Sequence, residues 1–323
     1  MTSPRLEWAA AGAAAAYTAA RLAAADRCPP LERLSVPLVS LTPQASAGAG
    51  LLALLLRRRG PAVTAAACGA ALAALAVPRA IPRRRPAAGG PLLRLLTANL
   101  HQGDAAGPGL VALARRLRAD VLLVQELTDD GEARLRDAGL SGLLPHELSD
   151  IYGYRYRGSA IYARYPLDPG LPMGPSYASQ PSARLTLPSG QQVQLVCVHP
   201  HPPYPPWFAA AVPRWRGELA ALPAPGTTPV ILAGDFNATA DHAQFRTLLR
   251  LGYRDAASQV GRGLTPTWGP RLGRRPDFLA FDHVLTDPRC AVLRISVHAL
   301  ARSDHRALFA ELRLPADGPG RGS

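Results

Sequence analysis

Apolar positions along this chain follow two different patterns. In the first ninety residues they run together without alternation. From Val36 to Leu56 there are 21 residues without a charge, and from Pro61 to Pro78 there are 18 more. A bilayer core of about 30 Å takes roughly 20 helical residues. Only Arg57-Arg58-Arg59-Gly60 separates the two runs, so the pattern predicts a tight helical hairpin with a basic tip. The Ala-rich stretch from Trp8 to Ala25, which contains Arg21, would be a third span. A cleaved signal peptide would want a basic start and a leucine-rich core, and Arg5 followed by alanines fits that poorly. The expectation is a membrane anchor of two or three transmembrane helices over 1–80. A Pro/Gly/Arg linker, 81–91, follows.

Beyond the linker the pattern alternates. Short apolar runs, read as strands, cover Leu92–Ala98, Val121–Val124, Gly158–Ala163, Ala183–Leu187, Val193–Val198, Val230–Ala233, Phe278–Leu285, Val292–Val297 and Ala307–Leu312. Helical spacing marks Leu110–Arg118, Gly131–Ala138, Trp207–Leu222 and His242–Leu251, the last closed by Gly252. Strands that alternate with helices early and pair locally later predict an α/β domain with mixed sheets over 92–314. The remaining residues, 315–323, read as a disordered tail.

Composition changes this picture only at the N-terminus. The net charge is +13, and every basic residue is arginine. Residues 1–90 carry 11 arginines against 3 acids, and the rest 25 against 20. Most of the excess therefore flanks the apolar runs, where anchoring explains it more simply than nucleic-acid binding. Arg57–Arg59 argue for a cytoplasmic hairpin tip, while Arg79 and Arg83–Arg85 pull the other way. The four cysteines, Cys28, Cys68, Cys197 and Cys290, have no metal-ligand spacing.

The candidate chemistry sits where apolar runs end. Asn99 follows the first strand and Glu126 the second, 27 residues later. A β-helix-β unit of that length brings both to one sheet edge, and their oxygens suit a hard cation such as Mg²⁺. His199 ends a strand ahead of Pro200-His201-Pro202. Asp235 and Asn237 stand in Gly234-Asp235-Phe236-Asn237, where the glycine allows close backbone approach to a ligand. Asp282 lies in Phe281-Asp282-His283-Val284, a costly place for an unpaired carboxylate. Ser303-Asp304-His305 precedes the last strand and suggests an Asp–His couple across strands. Taken singly, a polar residue that ends a strand is most often a turn former; the force lies in the order of the set.

That order resembles the endonuclease/exonuclease/phosphatase family, which includes pancreatic-type deoxyribonuclease, apurinic endonucleases, neutral sphingomyelinases and inositol polyphosphate 5-phosphatases. Gly158–Leu167 also resembles the family strand before its Arg-Tyr-Pro turn. The resemblance covers roughly 93–313. It implies a four-layer α/β/β/α sandwich, deoxyribonuclease-like, behind the N-terminal helices. It assigns Glu126 to a Mg²⁺ or Mn²⁺ ion, with Asn99 beside it and Asp304 nearby. His305, oriented by Asp282, would be general base or stabilise the pentavalent phosphorus. Asp235 would orient the nucleophile or protonate the leaving oxygen, Asn237 would donate to a non-bridging oxygen, and His199 would meet the phosphate. His283 stands where some relatives have Tyr, which would alter the pocket wall. The implied function is membrane-anchored, metal-dependent phosphodiester hydrolysis, a nuclease first. A lipid phosphodiesterase or phosphatase of the sphingomyelin or phosphoinositide type is the alternative, then an idle binding protein on the same fold. The substrate is a nucleic acid or phospholipid, the other partner is the membrane, and no protein partner is expected. Bacterial relatives with such helices imply a multi-pass protein of the cell membrane with an extracytoplasmic catalytic domain. The apolar loop Pro202–Phe208 and the arginines 262, 271, 274 and 275 are further candidates for substrate contact.

Overall fold

The computed structural model describes residues 3–151, 156–204, 208–269 and 277–316. Pro205–Trp207 and Arg271, Arg274 and Arg275, singled out above, lie outside the described residues, as does the tail from 317. Four helices come first: α1 (Pro4–Leu22), α2 (Glu32–Val39), α3 (Thr42–Leu55) and α4 (Arg59–Ala76). Then follow β1 (Leu92–Asn99), α5 (Pro108–Arg116), β2 (Val121–Leu127), α6 (Asp129–Asp137), α7 (Leu140–Leu143), β3 (His146–Asp150) and β4 (Gly158–Ala163). Next in order are β5 (Leu167–Pro169), β6 (Ser182–Thr186), β7 (Gln192–Val198), α8 (Ala211–Ala220), β8 (Val230–Asp235), α9 (Ala243–Arg250), β9 (Arg254–Asp255) and α10 (Ala256–Gln259). The chain closes with β10 (Asp282–Thr286), β11 (Ala291–Ala299) and β12 (Arg306–Arg313).

The strands form two six-stranded sheets, ordered β11-β12-β1-β2-β4-β3 and β5-β6-β7-β8-β10-β9. Inward side chains of both sheets, among them Leu95, Leu123, Leu195 and Ile231, share one core. A second core joins the outer face of the first sheet to the helices that follow β1 and β2, through Leu122, Val124, Leu110 and Leu135. A third joins the second sheet to α8 and α9 through Val196, Trp215 and Phe245. This is the expected helix–sheet–sheet–helix sandwich. Its topology sets the position of the site. β1 runs parallel to β2 and β7 parallel to β8, so four strands end at one edge. β10 and β12 run antiparallel to β8 and β1 and so begin there. Residues after the first group and at the start of the second converge on that edge.

Two expectations are corrected. The run Phe278–Leu285 is strand only from Asp282; Phe278 donates its backbone N–H to the Trp268 carbonyl and belongs to an irregular segment. The uncharged run Val36–Leu56 is not one straight helix. It breaks into α2 and α3, bent by 75°. The cause is local. Pro43 has no N–H for the Val39 carbonyl, and the Thr42 hydroxyl takes that place at 2.7 Å. The Ser40 hydroxyl likewise bonds the Pro37 carbonyl at 2.6 Å. Only the helical stretch Arg59–Ala80 is long and apolar enough to cross a membrane among the described residues, or two spans if the bent pair counts as one. A multi-pass reading therefore loses its second straight helix.

The helices do not hang free. Val36 is fully buried in the third core. Asp241, ahead of α9, pairs with Arg21 of α1 at 3.0 Å and with Arg79 at 3.0 Å. Asp26 accepts the Ala243 N–H at 2.6 Å, and His242 Nε2 lies 2.9 Å from the Val36 carbonyl. The stretch expected as a linker is also bonded: Arg83 N–H to the Gln259 carbonyl and Gly90 N–H to the Leu314 carbonyl.

Candidate active site

The eight candidate catalytic and metal-binding residues lie at the convergent edge. Asp282 and Asp235 are register partners across β10 and β8, with both side chains buried. His305, just ahead of β12, places Nδ1 2.8 Å from Asp282 Oδ2 and Nε2 3.6 Å from Asp235 Oδ2. Burial alone would lower this imidazole's pKa, but the charges of Asp282 and Asp235 raise it from the usual 6.5 to about 10. Asp235 moves up, because burial outweighs the attraction of His305. Asn99 Nδ2 donates to both Glu126 Oε1 and Asp235 Oδ2, each at 3.1 Å, and so ties the two sheets together.

The backbone around the site is held in unusual shapes. Glu126 has φ +57°, at a bulge where β2 slips register against β4 between Gln125 and Leu127. Such a conformation costs a non-glycine residue roughly 1–3 kcal/mol. Its carboxylate offsets part of this by accepting the Gln102 N–H at 2.7 Å as well as Asn99. Asn237 has φ +48°, and its own N–H reaches Asp235 Oδ1 at 2.8 Å. Gly234 has φ +148°, and a Cβ there would sit 2.1 Å from the Val198 carbonyl. Only glycine lets β8 pass so close to the end of β7, and that approach sets Asp235 beside His199.

His199 is buried, and its Nδ1 has no partner. Burial lowers its pKa, so the ring is neutral near pH 7. Asn237 Nδ2 bonds the Pro200 carbonyl at 3.1 Å, leaving a second amide hydrogen for a ligand. Asp304 sits 2.7 Å from His101 Nδ1 and accepts Trp268 Nε1–H at 3.2 Å. The His101 backbone N–H in turn bonds Asn99 Oδ1 at 2.9 Å. Asn99, Glu126, Asp235, Asn237, Asp282, Asp304 and His305 thus lie in one network of hydrogen bonds and ion pairs, and His199 stands beside Asp235. His101, Trp268 and Thr267 were not singled out from the sequence; Thr267 Oγ1 accepts the N–H groups of Phe281 and Asp282. They occupy loops without periodicity, and the one cue was the density of His and Trp near the motifs. His283 is corrected: it is no pocket wall but is buried against Phe236 and Phe245.

Carboxylate and imidazole donors at this edge have the chemistry to hold a cation: ligand atoms of Asp235, Asp282 and His305 all lie within 4.8 Å of one another. Asp282 Oδ2 is already taken by His305, whereas Asp304 Oδ1 and Asp282 Oδ1 are buried and lack a hydrogen-bond partner of good geometry. Glu126, Asn99 and Asp304 supply hard oxygens of the kind Mg²⁺ prefers.

With this geometry in view, comparison with known families is informative. The model of the Endonuclease/Exonuclease/phosphatase family matches residues 96–305, and the chain belongs to that family of phosphoester hydrolases. Solved structures share the fold. An endonuclease/exonuclease/phosphatase from Beutenbergia cavernae DSM 12333 is 20% identical, with TM-score 0.53 and coverage of 72% of each chain. TDP2 from D. rerio, complexed with single strand DNA product, is 17% identical, with TM-score 0.53, over 68% of this chain and 98% of that one. An AP endonuclease from Archaeoglobus fulgidus is 16% identical, with TM-score 0.51, over 68% and 98%. A comparison with curated protein sequences finds no match.

Proposed function

We propose that this protein is a membrane-attached, divalent-metal-dependent phosphodiesterase. The observation that carries the reading is the chain of contacts Glu126–Asn99–Asp235–His305–Asp282, which joins both sheets at one open edge. Glu126, Asn99 and Asp304 would hold the Mg²⁺ or Mn²⁺ ion, which supplies Lewis-acid polarisation of the phosphoryl oxygens.

The chain's own residues do the rest. Asp235 orients the attacking water and takes its proton; burial, by raising its pKa, makes it a better base. The water oxygen bonds to phosphorus as the opposite ester P–O bond breaks. The leaving oxygen keeps that electron pair and takes a proton from solvent. Flanked by two carboxylates, His305 keeps both ring protons and offers Nε2–H to a phosphoryl oxygen. Asp282 fixes the ring through Nδ1. Asn237 Nδ2 and the unpartnered His199 Nδ1, protonated in that tautomer, add neutral donors where charge builds up in the transition state. Attachment to a membrane is supported by the long apolar helical stretch Arg59–Ala80 and by bare apolar side chains such as Leu54, Leu55 and Val63.

The test uses the full chain in lipid nanodiscs with bis-p-nitrophenyl phosphate and supercoiled DNA, with Mg²⁺ or Mn²⁺. Hydrolysis should vanish with EDTA and in His305→Ala. Glu126→Gln should raise the metal concentration needed for activity by at least the roughly 10–100-fold that losing a residue behind a metal ligand costs, read from activity against metal concentration. Turnover that survives both EDTA and His305→Ala would sink the reading. Nicked DNA would favour the nuclease.

A further inference from the structure

A cavity of about 520 Å³ opens beside the carboxylate cluster, lined by His305 and Asn237. Sites for small ligands occupy roughly 300–1,000 Å³. Trp268, Phe278 and Leu279 line it from the segments before β10, and Pro37, Ser40 and Leu41 from the bend between α2 and α3. The helical layer is thus part of the site's wall. Gln44 of α3 holds it there with a 2.7 Å bond to the Phe278 carbonyl.

The lining selects its occupant. Among the described lining residues, His305 is the one charged group. Ser40 Oγ is spent on the Pro37 carbonyl and Trp268 Nε1 on Asp304. A nucleic-acid strand would bring a second phosphate within one nucleotide, and affinity for it rests on cations. Beyond His305, which meets the scissile phosphate, none lines this cavity among the described residues. An alkyl chain needs only removal from water. The same two helices carry bare leucines: Leu34 and Leu38 beside Pro37, and Leu51, Leu54 and Leu55 along α3, with Leu54 83% exposed. A lipid surface that met Leu34 and Leu38 would touch the same helix that supplies Pro37 to the cavity wall.

We infer that the cavity receives the apolar chain of a lipid phosphodiester whose phosphate sits at Asn237 and His305. The substrate class is therefore a membrane lipid. This rests on the phosphodiesterase reading above, and the chemical step is the same hydrolysis.

The experiment is a chain-length series on the full chain in nanodiscs, with p-nitrophenyl phosphodiesters whose second ester is methyl, butyl or hexyl. Bound as inferred, kcat/KM rises up to about fourfold per methylene, and Leu41→Arg, which puts a charge into the cavity, flattens the rise. A flat series with bis-p-nitrophenyl phosphate still cleaved overturns the cavity assignment and leaves the phosphodiesterase standing. DNA nicking with a flat series assigns the cleft to nucleic acid. A rise that survives Leu41→Arg places the chain elsewhere and also overturns the inference. Isothermal titration of the wild-type protein with hexyl phosphate against methyl phosphate needs neither turnover nor a folded variant. Tighter binding of the hexyl ester supports the cavity, and equal binding rejects it, even if no substrate is cleaved.

Discussion

Asp282 Oδ2 lies 2.8 Å from His305 Nδ1, and this link separates orientation from binding. Asp282→Asn keeps the shape but removes the charge that holds the imidazole doubly protonated. It should lower kcat by about 10²–10⁴-fold with little change in KM; a change confined to KM in steady-state kinetics would contradict the role given to His305. The next residue behaves differently. His283 Nε2 lies 2.9 Å from the Ala238 carbonyl and Nδ1 3.4 Å from Asp255 Oδ1, so both nitrogens face acceptors. Burial alone would lower its pKa, but Asp255 lifts it above 6.5. Burial alone would raise Asp255, yet His283 holds it below 3.8. The histidine's contribution to stability is complete below pH 6.5 and fades as pH rises through its raised folded value; the aspartate's is complete above pH 3.8 and fades on acidification. His283→Gln should therefore cost about 3 kcal/mol between these limits and progressively less in alkali. Thermal unfolding across pH checks this, and a gap that widens with rising pH would refute it. Asp282 was legible as a carboxylate at an odd place in an apolar strand, and the family resemblance named His305 as its partner. Asp255 was not singled out, because its meeting with His283 depends on how distant segments pack.

The break between α2 and α3 shows what periodicity leaves unsaid. Counting uncharged residues from Val36 to Leu56 sees one span, whereas the hydroxyls of Ser40 and Thr42 and the ring of Pro43 make a 75° corner. That corner becomes useful only because other contacts hold it in place. Foremost is Asp241, whose partner Arg21 is 220 residues away; no local pattern reports such a pair. With Asp241 changed to Asn, Arg21 and Arg79 lose the carboxylate that balances them in a buried setting, which typically costs about 3–5 kcal/mol. Asp241→Asn should unfold at lower temperature than the parent and should be cut more readily by trypsin at Arg79. An unchanged cleavage rate would mean that the helices are held by apolar packing alone. Of the strands, β1, β2, β7 and β8 were readable nearly to their ends, as mainly apolar runs stopped by the very polar residues that build the site, whereas the short, polar β3, β5 and β9 were not read.

At the scale of the whole molecule, the sheet sandwich and the edge that carries the chemistry follow from strand order. Parallel pairs end and antiparallel strands begin on the same side, which is why a set of strand-end residues scattered from Asn99 to His305 could be recognised as one site. What strand order leaves out is the helical layer. Read from composition, 1–80 is an anchor on a tether; in the structure it closes the third core with Val36 and lines the cavity with Pro37, Ser40 and Leu41. A fragment of residues 91–323 makes the difference measurable. Without the helices, Val36 no longer covers the core that contains Trp215 and Leu219, a loss of about 1.5–3 kcal/mol for one such side chain. Asp26, Arg21 and Arg79 also leave Ala243 and Asp241 without their bonds. The fragment should unfold several degrees below the full chain in matched detergent, bind more of a dye that reports exposed apolar surface, and give a flatter chain-length series. If it matched the full chain in melting temperature and in that series, the helices would be a tether after all, and the cavity would have to be complete without them.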